Sequence, residues 1–158
     1  MSDSREEYMR LAIQLSQQGM EQKNGGPFGA VIVKDGKIIG QGSNEVTSTN
    51  DPTAHAEVVA IRNACKNLSS FELFGAEIYC SCEPCPMCLS AIYWARIGKI
   101  YFANTRKDAA DIGFDDDFIY HEIPKAIEQR AVPALPLLRN EAQQVFVAWQ
   151  NMSDKTEY

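Results

Sequence analysis

The stretch AEIYCSCEPCPMCLSAIYWARIGKIYFA, Ala76 to Ala103, decides how the rest of the chain is arranged. Ala76 to Ser81 carries the apolar and aromatic residues of a short strand. A turn dense in cysteine and proline follows, after which Leu89, Ile92, Tyr93 and Ile97 recur at helical spacing. Lys99 to Ala103 then returns to strand. Strand, ligand-rich turn, helix and strand in succession imply a layered α/β domain.

Working outward, Ser4 and Glu7 have capping-box spacing, and Tyr8, Leu11, Ala12 and Leu15 fall at i, i+3, i+4 and i+7, predicting a helix that ends near Gly19. Gly25-Gly26-Pro27-Phe28-Gly29 breaks into a strand from Ala30 to Val33, and Asp35-Gly36 joins that run to Ile38-Ile39 as a hairpin. Asp51 or Thr53 is expected to cap a second helix reaching about Lys66, with Pro52 in its first turn, so that His55 and Glu57 stand at a helix N-terminus. Downstream, the apolar stretch Val132 to Leu138 is the candidate fifth strand. Ala142, Val145, Phe146 and Trp149 predict a final helix before the polar tail NMSDKTEY. Without an internal repeat or linker, the expectation is one domain over residues 1–158, a three-layer α/β/α sandwich with a mixed central sheet.

Composition narrows the partners. The 158 residues are 45% hydrophobic and 23% charged, the profile of a soluble globule. With 15 basic against 21 acidic side chains the net charge is −6, which disfavours a primary role in gripping nucleic-acid phosphates. No apolar run approaches the roughly 20 residues of a membrane helix, and the acidic start MSDSREEYMR has no hydrophobic stretch behind it, so a cytoplasmic location is expected. Four of the five cysteines lie between Cys80 and Cys88, too close for an unstrained disulfide framework. In a reducing compartment such a cluster signals metal binding or catalysis.

A catalytic zinc site needs three protein donors and an open fourth position. His55, Cys85 and Cys88 are the candidates, the two cysteines spaced at a helix start where the positive helix end favours thiolates. Cys82 also precedes Cys85 by three residues and is the alternative second thiol, on the strand side of the turn. Cys65 and Cys80 read as core thiols, and His121 has no companion ligand nearby. Glu57, two residues from His55, is the candidate proton carrier: zinc lowers the pKa of a water toward about 7, and an unligated carboxylate moves the protons. A non-catalytic structural zinc module would use the same donors.

His55-Ala56-Glu57 with Pro84-Cys85-Pro86-Met87-Cys88 is the signature of the zinc nucleobase deaminases. Beyond it, GGPFGAVIVKDG (Gly25 to Gly36), NDPTAHAEVVAIRNACK (Asn50 to Lys66), SCEPCPMCLSAIYWAR (Ser81 to Arg96), GFDDDFIY (Gly113 to Tyr120) and the aromatic C-terminus resemble the bacterial guanine deaminase branch of the cytidine deaminase-like fold. The first and third segments are shared in part with tRNA adenosine deaminases, the runner-up reading. The resemblance implies one zinc per chain on His55, Cys85 and Cys88, proton shuttling by Glu57, and guanine hydrolysed to xanthine and ammonia. It further implies that Asn44 contacts the base, Phe28 packs on its ring, and Asp116 meets the edge bearing the amino group. Ala56, Trp94 and Tyr158 complete the pocket, with the last helix and tail, about 140–158, closing it. A small purine base as substrate and a homodimer, exchanging C-terminal segments in some members, are also implied. Apart from the resemblance, the Asp116 assignment has a chemical basis: guanine presents a ring N–H and an amino group beside the reacting carbon, and a carboxylate accepts from both.

Overall fold

The computed structural model describes residues 4–158, which fall into two compact units, one running through Asp116 and the other spanning Asp117–Tyr158. The first unit is built on helix α1 (Ser4–Glu21), strands β1 (Gly29–Lys34) and β2 (Lys37–Ser43), a short helix α2 (Val46–Thr49), helix α3 (Ala56–Leu68), strand β3 (Ala76–Cys82), helix α4 (Pro86–Trp94), strand β4 (Lys99–Asn104) and helix α5 (Arg106–Asp111).

The four strands form one mixed sheet in the order β2-β1-β3-β4. β1 is antiparallel to both β2 and β3, while β3 and β4 run parallel around α4. β1 is buried on both faces, which explains its unbroken apolar sequence. Val31, Val33 and Tyr79 face one way and pack with Ala12 of α1. Ala30, Ile32, Ile78 and Cys80 face the other way and pack with Ala56, Ala60 and Ala64 of α3 and Ile92 of α4. Helix, sheet and helix pair make the three layers, as expected.

Two glycines let α3 lie unusually close to β2. A Cβ at Gly40 would fall 2.5 Å from the Ala60 carbonyl, and one at Gly42 would fall 2.8 Å from Val59 Cγ1 and 2.9 Å from the Ala56 carbonyl. The start of α3 is thereby seated directly on the sheet. Two asparagines on the same helix reach the outer side of β2: Asn63 Nδ2 donates to the Gln41 carbonyl and Asn67 Nδ2 to that of Ile39, each at 2.9 Å.

The second unit contains α6 (Asp117–Glu122), a 3₁₀ turn (Ile127–Gln129) and α7 (Arg139–Asn151). Residues 132–138, expected as a fifth strand, form no strand. Pro133 and Pro136 each remove a ladder donor, which a paired strand does not accommodate. No helix among the described residues is long and apolar enough to cross a membrane.

Other boundaries also move. α3 begins at Ala56 with His55 as its N-cap, whereas Asp51 and Thr53 lie in a separate turn. There Asp51 Oδ1 accepts from the Thr53 amide at 2.8 Å and hydroxyl at 2.6 Å, so the carboxylate is already engaged. α4 ends at Trp94, short of Ile97, because Arg96 takes a left-handed conformation at φ 61°.

Candidate metal centre

His55 and Cys85 hold equivalent places in the fold. Each is the extended N-cap residue of a helix, with φ −67° and ψ 155° for His55 and φ −66° and ψ 169° for Cys85. An N-cap side chain swings off the helix axis. His55 and Glu57 therefore need not diverge as two residues apart inside a helix would. Pro86 at the first position of α4 has no amide hydrogen to satisfy and fixes the turn after Cys85. The Cys88 amide, one turn in, donates to Cys85 Sγ at 3.4 Å.

The donor atoms of His55, Cys85 and Cys88 lie within 4.8 Å of one another, the one such group of three among the described residues. His55 Nδ1 is 3.5 Å from both sulfurs. Tetrahedral zinc, with bonds of about 2.3 Å to sulfur and about 2.0 Å to nitrogen, sets a nitrogen–sulfur edge of roughly 3.5 Å. The donor set therefore fits zinc in both chemistry and dimension.

Cys85 is held down to about 4 by the hydrogen bond from Cys88, with help from His55. His55 is correspondingly raised by its bond to Cys85. Cys88 is raised because it shares a proton with Cys85 and is buried. Cys82, the alternative thiol, points elsewhere: its Sγ donates to the Thr105 carbonyl at 3.5 Å, and burial pushes it up to about 11. Cys80 is a core thiol kept protonated by burial, and Cys65 is half-buried at the rim of the same cluster.

Glu57 is 8% exposed, and its Oε2 lies 3.3 Å from Cys88 Sγ. Burial raises its pKa above the ordinary carboxylate value, and a carboxyl shifted in that direction exchanges protons more readily near neutrality.

The other sequence-derived residues divide by location. Asn44, buried just past β2, accepts the amides of Gly26 at 3.3 Å and Val46 at 3.1 Å on its Oδ1. Its oxygen is thus committed to the turn. Ala56 is wholly buried at the first position of α3. Phe28 is half-buried and meets Phe114 edge-on, with ring centroids 4.9 Å apart at 88°. Asp116 is half-buried, and its carboxyl is raised by burial and then by the charge on Cys85. Trp94 ends α4, at the opposite end from Cys85 and Cys88, and is 64% exposed with the Arg96 guanidinium 5.9 Å from its ring. Tyr158 belongs to the second unit and is exposed.

Sequence reasoning missed two supporting side chains. Ser81 is buried and its Oγ accepts the Gly29 amide at 2.9 Å, fixing the end of β1 beside Phe28. Glu83 Oε2 accepts the Arg106 amide at 2.9 Å. The one signal for Glu83 is its place beside Pro84-Cys85, and Ser81 offers none in sequence.

The cytidine and deoxycytidylate deaminase zinc-binding region matches residues 2–104. Guanine deaminase of Bacillus subtilis strain 168 is 52% identical over 153 residues, covering 97% of this chain and 98% of that one. An X-ray structure of B. subtilis guanine deaminase superposes with a TM-score of 0.95 at 51% identity, covering 100% of this chain and 99% of that chain. A tRNA-specific adenosine deaminase from Aquifex aeolicus is 41% identical over 103 residues, covering 65% of this chain and 68% of that one. The chain therefore belongs to the cytidine and deoxycytidylate deaminase zinc-binding family and, within it, is a homologue of bacterial guanine deaminase.

Proposed function

We propose that the protein hydrolyses guanine to xanthine and ammonia, with His55, Cys85 and Cys88 holding one zinc per chain. Bound zinc supplies the Lewis acidity that makes water a usable nucleophile near neutral pH. Glu57 accepts the proton that water gives up and passes it to the ring nitrogen beside the reacting carbon, then takes a second proton from the newly added hydroxyl and passes it to the amine, which leaves as ammonia. Its burial among the donors keeps solvent from competing for that proton.

Asn44 has already committed its Oδ1 to the turn, so its Nδ2 is the group left to donate to an acceptor on the base. Asp116 accepts from the ring N–H and the amino group together. Adenine places a ring acceptor where that N–H would be, and a carboxylate facing it leaves both groups unsatisfied. Phe28 supplies apolar surface for the ring, with Ala56, Trp94 and Tyr158 as further pocket residues. The segment of about 140–158 closes the site, making residues 1–158 one functional domain. A homodimer agrees with α7, whose Val145 and Phe146 are 66% and 74% exposed in the single chain. All five cysteines are free, which suits a reducing cytoplasm.

One observation carries the choice of substrate. Similarity to the B. subtilis guanine deaminase covers 97% of the chain, whereas that to the A. aeolicus tRNA deaminase covers 65%. Side-by-side ammonia release from guanine, guanosine, adenine, cytosine and a tRNA anticodon stem-loop tests it. Guanine should be the best substrate by a wide margin; preference for the stem-loop or for guanosine overturns the assignment.

A further inference from the structure

Glu83 is a half-buried carboxylate beside the metal-binding turn that the chemistry above leaves unused. Its surroundings follow from the parallel pairing of β3 and β4, which sets Cys82 beside Asn104. Three bonds cross between the two strand ends. The Glu83 amide donates to the Asn104 carbonyl at 2.8 Å, Cys82 Sγ donates to the Thr105 carbonyl at 3.5 Å, and Glu83 Oε2 accepts the Arg106 amide at 2.9 Å. The turn that bears Cys85 is thereby fastened to the start of the segment 105–116.

That segment is organised internally by the Thr105 and Asp108 capping box and by the Phe114 amide, which donates to the Ala109 carbonyl at 2.9 Å. Its far end is fastened by Phe114 against Phe28. Gly26 leaves room for that contact, since a Cβ there would fall 2.9 Å from Phe114 Cζ and 3.0 Å from Phe28 Cε2. Asp116 stands two residues beyond Phe114. The Arg106 charge acts on its carboxyl, offsetting part of the effect of burial. Glu83 holds the main chain of the residue that carries this charge.

We infer that Glu83 is a positioning residue, whose carboxylate anchors the Arg106 backbone and so registers Asp116 against the Cys85 turn, setting how tightly the N–H edge of the base is held. This rests on the guanine reading of the site. A carboxylate is the stronger acceptor for an amide, and a misplacement of about 1 Å in a group that orients substrate is enough to lower efficiency severely. The carboxylate touches no reacting atom, so its removal should weaken substrate binding more than the chemical step.

Zinc-loaded Glu83→Ala and Glu83→Gln test the inference by steady-state kinetics on guanine, zinc content and hydrogen exchange of the Arg106 amide. Glu83→Ala should raise KM about tenfold, the size of one hydrogen bond to a charged group, with kcat within about threefold, zinc unchanged and Arg106 exchange accelerated. Glu83→Gln keeps an acceptor oxygen and should restore both KM and protection. If the alanine variant does not fold, Glu83→Asp replaces it, because the shorter side chain withdraws the oxygen by about one bond length and should reproduce the loss. Unchanged KM and exchange on truncation, zinc loss with a fall confined to kcat, or a glutamine variant as impaired as alanine would each overturn the inference. If the wild-type protein releases no ammonia from guanine, the substrate reading fails separately. Arg106 exchange then decides the anchor, with lost protection in Glu83→Ala supporting it and unchanged protection overturning it.

Discussion

Replacing Glu57 by glutamine separates proton transfer from every other role of that side chain. Glutamine has the same length and nearly the same volume, so it leaves no cavity at a position only 8% exposed, with its terminal group still placed some 3.3 Å from Cys88 Sγ. It cannot take a proton from water and return it. General acid–base catalysis by one positioned group contributes typically ~10² to 10⁴ in rate, or about 3 to 5 kcal/mol of transition-state stabilisation. Because the proposed mechanism uses Glu57 as acceptor and donor in turn, the loss should sit at the upper end, near ~10⁴ in kcat. The folded state should hardly notice. Burial already disfavours the charge of Glu57, and a neutral amide removes that unfavourable term, so the melting temperature should stay level or rise slightly. Ammonia release, zinc quantitation and a thermal melt on the same preparation give the answer. Turnover within about tenfold of wild type, with zinc retained, would refute proton transfer by Glu57. Loss of zinc in Glu57→Gln would instead make the carboxylate part of the metal's support.

Cys88→Ala should lose both zinc and turnover, whereas Cys82→Ala should keep zinc with at most a modest fall in melting temperature; the reverse pattern in zinc quantitation would reassign the second thiol. Zinc uptake should weaken as pH falls below about 7, because the His55 imidazolium is favoured by its bond to Cys85 and the proton must leave before the nitrogen can bind metal; a flat uptake curve between pH 8 and 6 would contradict this. Gly42→Ala should destabilise by roughly 1 to 3 kcal/mol through overpacking and loosen zinc as well, since the new Cβ meets Val59 and the Ala56 carbonyl at the seat of α3; denaturant melts and metal competition measure both. Removing Thr156 to Tyr158 leaves the Lys155 bond to the Gln150 carbonyl in place, so melting and zinc should hold while guanine turnover falls.

Residues that act through their immediate neighbours in sequence were the ones legible without coordinates. Cys85, Pro86 and Cys88 shape their own helix start, and the Asp35-Gly36 hairpin between β1 and β2 likewise needs no distant partner. Where a local signal had competing uses, sequence could not choose. Asp51 has the chemistry of a helix cap but is engaged with Thr53, so the cap falls to His55. Asn44 sits where an asparagine serves a turn, and its oxygen does so, a use that the sequence could not separate from contact with a base. The apolar run at 132–138 lacked the amide donors of a strand, a defect that Pro133 and Pro136 announced and hydrophobicity obscured. Glu83 and Ser81 act across strand ends far apart in sequence, and only the fold reveals them.

The asparagine bonds on the outer side of β2 bear on how the protein behaves at high concentration. An edge strand normally presents a row of open carbonyls and amides on which another chain can template. Here the carbonyls of Ile39 and Gln41 are occupied by Asn67 and Asn63, so an incoming strand must first displace bonds worth about 1 kcal/mol each. Strand-mediated self-association is thus disfavoured along β2, where the helix that carries His55 at its N-cap also guards the border of the sheet.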